Sequence, residues 1–260
     1  MDVMLTVLTT LVLIVLFLGA GVWIFLGLFM VALTSLLVIG DFSLDRIGFI
    51  AKSIMWKSAS SWEIAAIPLF IWMGEIIFRT DISDRLFRGL TPLVEKIPGR
   101  LLHTNILGCT LFACVSGSTA ATTATVGKIT VSELKSRNYS NNLSIGSLAG
   151  AGSLGLMLPP SIVMIIYGVL AEVSIAKLFA AGVVPGLLVA FIYSMYIIIK
   201  CIFNPSLAPA SGESITLAKL VGSVKDLMPI IILIVLVLGG IYSGIATPSE
   251  AAALGVAVTI

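Results

Sequence analysis

The sequence predicts an all-α polytopic membrane protein with a re-entrant helical hairpin and a broken transmembrane helix. Three observations lead there. Apolar residues make up 58% of the 260 and charged residues only 11%, where a soluble domain carries about a quarter charged. Uncharged stretches recur at about the 20-residue length that crosses a bilayer. Two stretches are interrupted by Gly, Ser and Pro where a helix cannot run on. Mean hydropathy is +1.15. The net charge of +2 leaves no basic footprint for nucleic acid.

Residues 3–40 are uncharged and long enough for two spans, with a tight turn near Gly19-Ala20-Gly21. The first basic residue is Arg46, so the charged n-region of a cleavable signal peptide is not expected. Residues 41–62 combine Arg46, Lys52 and Lys57 with Ile47, Ile50 and Ile54, and Trp56 and Trp62 suit a headgroup belt. That pattern predicts a helix lying in the interface. A span follows at 64–78. Residues 81–97 repeat Ile82, Leu86, Leu90, Leu93 and Ile97 at helical spacing opposite a charged face, and predict a second interfacial helix that Pro92 bends or divides.

Residues 101–127 are broken by Ser116-Gly117-Ser118-Thr119 into halves of about a dozen residues, too short to cross the hydrocarbon. They predict the re-entrant hairpin. Residues 138–171 carry no charge but contain a Gly/Ser run through Gly152, Ser153 and Gly155, then Leu158-Pro159-Pro160-Ser161. Two prolines at mid-membrane remove two backbone donors, and a discontinuous helix results. Further spans are expected at 178–199 and 227–245, separated by a polar connection at 204–226. Thr247-Pro248-Ser249-Glu250 then has the form of a capping box opening another helix.

Charge tests this topology. With the hairpin re-entrant, one side receives 11 Lys/Arg and the other 4, in keeping with the positive-inside rule. Reading 101–127 as a full span reduces the split to 9 against 6.

Backbone that leaves the helix at membrane depth persists only where protein buries it, where it lines a cavity, or where it coordinates something. Carbonyls at the end of a half-helix can hold a cation, and N–H groups at the start of one favour an anion. Both breaks offer both ends, and hydroxyl and carbonyl oxygens suit Na⁺, a hard cation. Taken singly, each small-residue motif reads as helix packing. Two breaks within about 40 residues of one another favour a Na⁺ site between them, built from Ser116, Gly117, Ser118, Thr119, Gly152, Ser153, Gly155, Pro159 and Ser161. Substrate is expected nearby, at Ser118, Thr119, Pro160 and Ser161.

These residues resemble a family. Val115-Ser116-Gly117-Ser118-Thr119-Ala120-Ala121-Thr122 and Gly155-Leu156-Met157-Leu158-Pro159-Pro160-Ser161-Ile162 look like the large membrane subunit of tripartite ATP-independent periplasmic (TRAP) transporters. Ala66-Ile67-Pro68-Leu69-Phe70 with Gly74-Glu75, Lys177-Leu178-Phe179-Ala180-Ala181-Gly182 with Pro185-Gly186, and the stretch from Gly244 to Ala253 support it in family order. The resemblance implies Na⁺-coupled uptake of organic acids such as C4-dicarboxylates or sialic acid, with no cofactor beyond the coupling ion and no transition metal. It implies a periplasmic binding protein that delivers substrate and a small four-helix membrane subunit, in the bacterial inner membrane. It also implies an elevator architecture, of which this chain carries the first repeat. Residues 1–100 would supply scaffold spans and arm helices. Residues 101–171 would form half of the transport domain, as hairpin 101–131 and broken helix 142–171. Residues 172–246 would add spans, and 247–260 would begin a second, inverted repeat. The match corresponds to roughly the first three-fifths of a full subunit, so half of the substrate site is expected elsewhere.

Other features carry less. Gly127-Lys128 lacks the P-loop pattern, since Thr122 and Ile129 stand where Gly and Ser/Thr are needed. His103 has no sequence partner and reads as interfacial. Glu75 lies four residues before Arg79 and reads as its ion-pair partner. Cys109, Cys114 and Cys201 form no metal or disulfide pattern and read as packing thiols. Two alternatives stay open: a binding-protein-independent anion or ion transporter, separated by its indifference to a periplasmic partner, and a non-transporting membrane scaffold, separated by absence of ion-dependent uptake. No nucleophile–base set or metal cluster suggests an enzyme.

Overall fold

The computed structural model describes residues 3–209 and 216–260, which are helical throughout with no strand among them. Part of the expected 204–226 connection, at 210–215, lies outside the described residues, as do Met1 and Asp2. The chain divides into two compact units, 1–60 and 61–260.

In the first unit, α1 (Val3–Gly19) and α2 (Ile24–Thr34) flank the expected turn. Gly21 there has φ +76, a left-handed conformation that glycine takes without a Cβ clash. A π-helical turn, Ser35–Ile39, extends α2. Then α3 (Leu44–Ala59) starts at Ser43, whose hydroxyl accepts from Arg46 N. The Arg46 guanidinium stacks over the Phe42 ring at 4.2 Å.

The second unit begins with a 3-10 turn, Trp62–Ala65, leading into α4 (Ala66–Arg79). The Ser83 hydroxyl donates to the Ile77 carbonyl and fixes the corner into α5 (Ile82–Val94). Here the structure corrects the sequence reading. The apolar face of α5 is not left for the bilayer surface. Leu86, Phe87, Leu90 and Val94 are buried in protein, against α11 (Leu217–Tyr242) and α6 (Leu102–Ser116). Pro92 does not divide α5, which runs through it and ends two residues later.

The hairpin forms, with both arms longer than expected. α6 has 15 residues and α7 (Thr119–Ser136) has 18. Helix formers such as Lys128, Glu133 and Lys135 carry α7 past the apolar stretch. Both outer ends of the pair converge on one turn. Arg100 Nη1 donates to the Ala208 carbonyl at 2.9 Å, and Ser140 N donates to the Leu207 carbonyl at 3.1 Å.

The broken helix also forms. α8 (Asn141–Gly152) tightens into a 3-10 turn, Ser153–Leu156, and helical geometry returns at α9 (Ile162–Leu170). Pro159-Pro160, a cis pair, lies in the gap. α10 (Ile175–Phe203) follows, and α12 (Pro248–Thr259) comes after α11. Among the described helices, α10 and α11 are each long and apolar enough to cross a membrane alone. The capping box at α12 is complete: Thr247 N donates to Glu250 Oε2 at 2.8 Å, and Glu250 N donates to Thr247 Oγ1 at 3.4 Å.

Phe70, Met73 and Ile77 of α4, Leu86 of α5, and Leu102, Ile106 and Phe112 of α6 form the core. Outward-facing residues of α10 and α11 are equally apolar: Phe191, Ile192, Ile202, Val221, Ile232 and Val235 are exposed. A folded exterior of this composition is matched to lipid rather than water.

Candidate functional site

α6 ends because Gly117 turns left-handed, with φ +58, a conformation open to glycine. Ser118 then caps α7 through its hydroxyl, which accepts from Ala121 N. Ser116 is buried, and its Oγ lies 2.8 Å from Thr122 Oγ1 across the turn. The two arms are thereby tied at the tip.

The second break lies directly on this tip. Ile162 N approaches the Gly117 carbonyl at 3.5 Å. A Cβ on Gly117 would sit 2.7 Å from the Pro160 carbonyl oxygen, and one on Gly155 would sit 2.9 Å from Thr119 N. A Cβ on Gly152 would overlap Thr123 Oγ1. Glycine at Gly117 and Gly155 lets the breaks touch backbone to backbone, and glycine at Gly152 leaves room for the Thr123 side chain. The support is equally close. On α10, Gly182 and Gly186 receive the Met157 carbonyl and the Leu158 side chain. On α4, Gly74 lies against Ser116, with 3.1 Å from its Cβ position to the Ser116 Cα. Asn105 of α6 donates to the Ser144 carbonyl and Ser147 Oγ of α8, at 3.1 and 2.9 Å.

Ser116, Gly117, Gly152, Gly155, Pro159, Pro160 and Ser161 are buried, while Ser118 and Thr119 are half-buried. The structure brings them together. Ser153 is the exception. It is exposed, and its hydroxyl donates to the Gly150 carbonyl and approaches Tyr193 Oη. Ser161 Oγ donates to the Leu156 carbonyl at 3.0 Å, so its oxygen keeps acceptor capacity. Among the described residues, no hydrogen bond reaches the carbonyls of Leu158, Pro159 or Pro160. The available groups are thus neutral carbonyl and hydroxyl oxygens, the ligand type of a hard cation.

Sequence reasoning missed three contributors: Thr122, Thr123 and Gly74. Gly74 was visible as a small residue inside the bulky run of α4, but its partner was not. His103 is buried in protein, and its Nε2 lies 2.9 Å from the Pro98 carbonyl. Glu75 and Arg79 form the expected i,i+4 pair at 2.6 Å. The three cysteines are free, with Cys109 and Cys201 buried.

Apolar helices, a lipid-matched exterior and two helix breaks in contact define an integral membrane protein of the discontinuous-helix kind. Residues 9–260 match the family described as "Tripartite ATP-independent periplasmic transporter, DctM component". The chain belongs to that family and is a multi-pass inner-membrane protein. It is 36% identical over 223 residues to the C4-dicarboxylate TRAP transporter large permease protein DctM of Pseudomonas aeruginosa, covering 86% of this chain and 50% of that protein. It is 34% identical over 194 residues to the ectoine TRAP transporter large permease protein TeaC of Halomonas elongata, covering 74% and 44%. To the sialic acid TRAP transporter large permease protein SiaM of Vibrio cholerae it is 31% identical over 237 residues, covering 90% and 53%. The chain spans about half the length of the curated relatives it matches.

Proposed function

We propose that this chain forms part of the permease subunit of a Na⁺-coupled secondary transporter that imports organic acids. The single observation that carries the reading is the contact between the Gly117-Ser118 turn and the Gly155–Pro160 gap. The Pro160 carbonyl oxygen lies against Gly117 there, and Ile162 N approaches the Gly117 carbonyl at 3.5 Å. A sodium ion would be held by carbonyls of the two breaks with Ser116, Ser118 or Ser161 hydroxyls, and the substrate carboxylate would face the N-terminus of α7 near Thr119. Convergence of both hairpin ends on 207–208 supports a re-entrant course, in which the tip reaches mid-membrane and returns. The contact also suits an elevator, because hairpin and broken helix would move as one body.

A small four-helix membrane subunit and a periplasmic binding protein are the partners this reading requires. The substrate class is an organic acid, C4-dicarboxylate or sialic-acid-like: relatives named for C4-dicarboxylates and for sialic acid match, as does one named for isethionate, a sulfonate. The test is uptake of a labelled carboxylate into vesicles that hold the polypeptide carrying this segment, the small subunit and the binding protein. Uptake should need an inward Na⁺ gradient and should vanish when K⁺ replaces Na⁺ or when the binding protein is left out. Uptake indifferent to Na⁺ would overturn the reading.

A further inference from the structure

The hairpin tip borders two cavities, and their chemistry differs. One, of 600 Å³, is lined by Thr119, Ala120, Thr123, Ala149, Gly152 and Ser153 with their neighbours, and has no ionisable group. The other, of 330 Å³, lies between α4 and the tip. Ser116, Ser118 and Thr125 supply hydroxyls to it, and Ile71, Phe78 and Ile162 supply apolar wall. Its one ionisable lining residue is Glu75. α7 separates the two: Ser118, Ala121 and Thr125 face the second cavity, and Thr119 and Thr123 face the first.

A single carboxylate in a pocket with low-dielectric walls focuses a negative potential inside it. That potential draws a cation and repels a carboxylated solute. Gly74 places this turn of α4 against Ser116, and Glu75 lines the same cavity as Ser116 and Ser118. The geometry points to the α4–hairpin cavity as the cation's access path, with Glu75 as the group that draws Na⁺ toward Ser116 and Ser118. The organic anion is left to the uncharged cavity on the opposite face of α7. Arg79, paired with Glu75 at 2.6 Å and not lining the cavity, competes with the ion for the carboxylate. This inference rests on the Na⁺-coupled reading above.

The experiment is a Na⁺ titration of the purified full chain in detergent, read as thermal stabilisation, with choline holding ionic strength constant. Glu75 is half-exposed, so Glu75→Gln leaves the fold in place. The carboxylate's potential also acts on the bound ion, so the substitution should raise the half-saturating Na⁺ concentration about tenfold. Arg79→Gln should lower it, because the carboxylate loses its competing partner. Half-saturation unchanged in Glu75→Gln, or moved the same way by both substitutions, overturns the access path while leaving the Na⁺ reading intact. A wild-type chain that Na⁺ does not stabilise overturns both.

Discussion

Gly117 occupies left-handed backbone space, and its missing Cβ is what lets the Pro160 carbonyl approach. Alanine there meets two penalties together: a φ costly for L-residues, and overlap with backbone atoms that cannot rotate away. Gly117→Ala should destabilise by about 1–3 kcal/mol and should abolish Na⁺-dependent uptake. Gly146 is the control. It lies mid-helix in α8 with open space at its Cβ position, so Gly146→Ala should stabilise by about 0.5–1 kcal/mol. Thermal unfolding of the two variants side by side checks both signs; equal effects would remove the contact from the account. The breaks themselves were legible because Gly, Ser and Pro interrupt helices by known local chemistry. Their partners were not. Sequence spacing says nothing of Gly152 meeting Thr123, or of Gly74 meeting Ser116, since each contact joins separate helices.

At the scale of elements, α5 shows where periodicity stops deciding. An amphipathic stripe states that one face leaves water. It does not say whether lipid headgroups or another helix receives it. The deciding feature is Gly89. A Cβ there would lie 2.7 Å from Leu227 and 3.0 Å from the Ser223 carbonyl, so α11 approaches α5 closely at that point. Gly89→Val should therefore behave as a core lesion, lowering stability by about 1–3 kcal/mol through overpacking. A helix on the bilayer surface would tolerate valine, and an unchanged melting temperature would restore the interfacial reading. The Arg88–Asp226 pair on the same contact, with Arg88 exposed and Asp226 half-buried, is long at 4.0 Å and contributes little by comparison. α10 and α11, by contrast, were plain from composition, because long uncharged apolar runs have few other homes.

At the largest scale, the hydrogen bonds at 207–208 bear directly on how the ends of the hairpin are placed. Arg100 before α6 and Ser140 after α7 bind consecutive carbonyls in the turn that follows α10. Three segments therefore share one end of the second unit: the start of the hairpin, its finish, and the end of a helix able to span. A single span over 101–127 would place residues 100 and 140 on opposite sides, which those two bonds forbid; two arms joined at a turn return them to one side. By the positive-inside rule, the Lys/Arg content of 79–100, 128–137 and 200–225 makes the inner side the expected one for this shared end. Single cysteines at Lys96, Ser136 and Ser206, each exposed, test it in a background with Cys109, Cys114 and Cys201 replaced. An impermeant thiol reagent should reach all three only in inverted vesicles, whereas a cysteine at Lys52 should react in right-side-out cells. Labelling of positions 96 and 136 from opposite faces would mean that the hairpin spans, and that its tip does not meet the proline-broken helix at mid-depth.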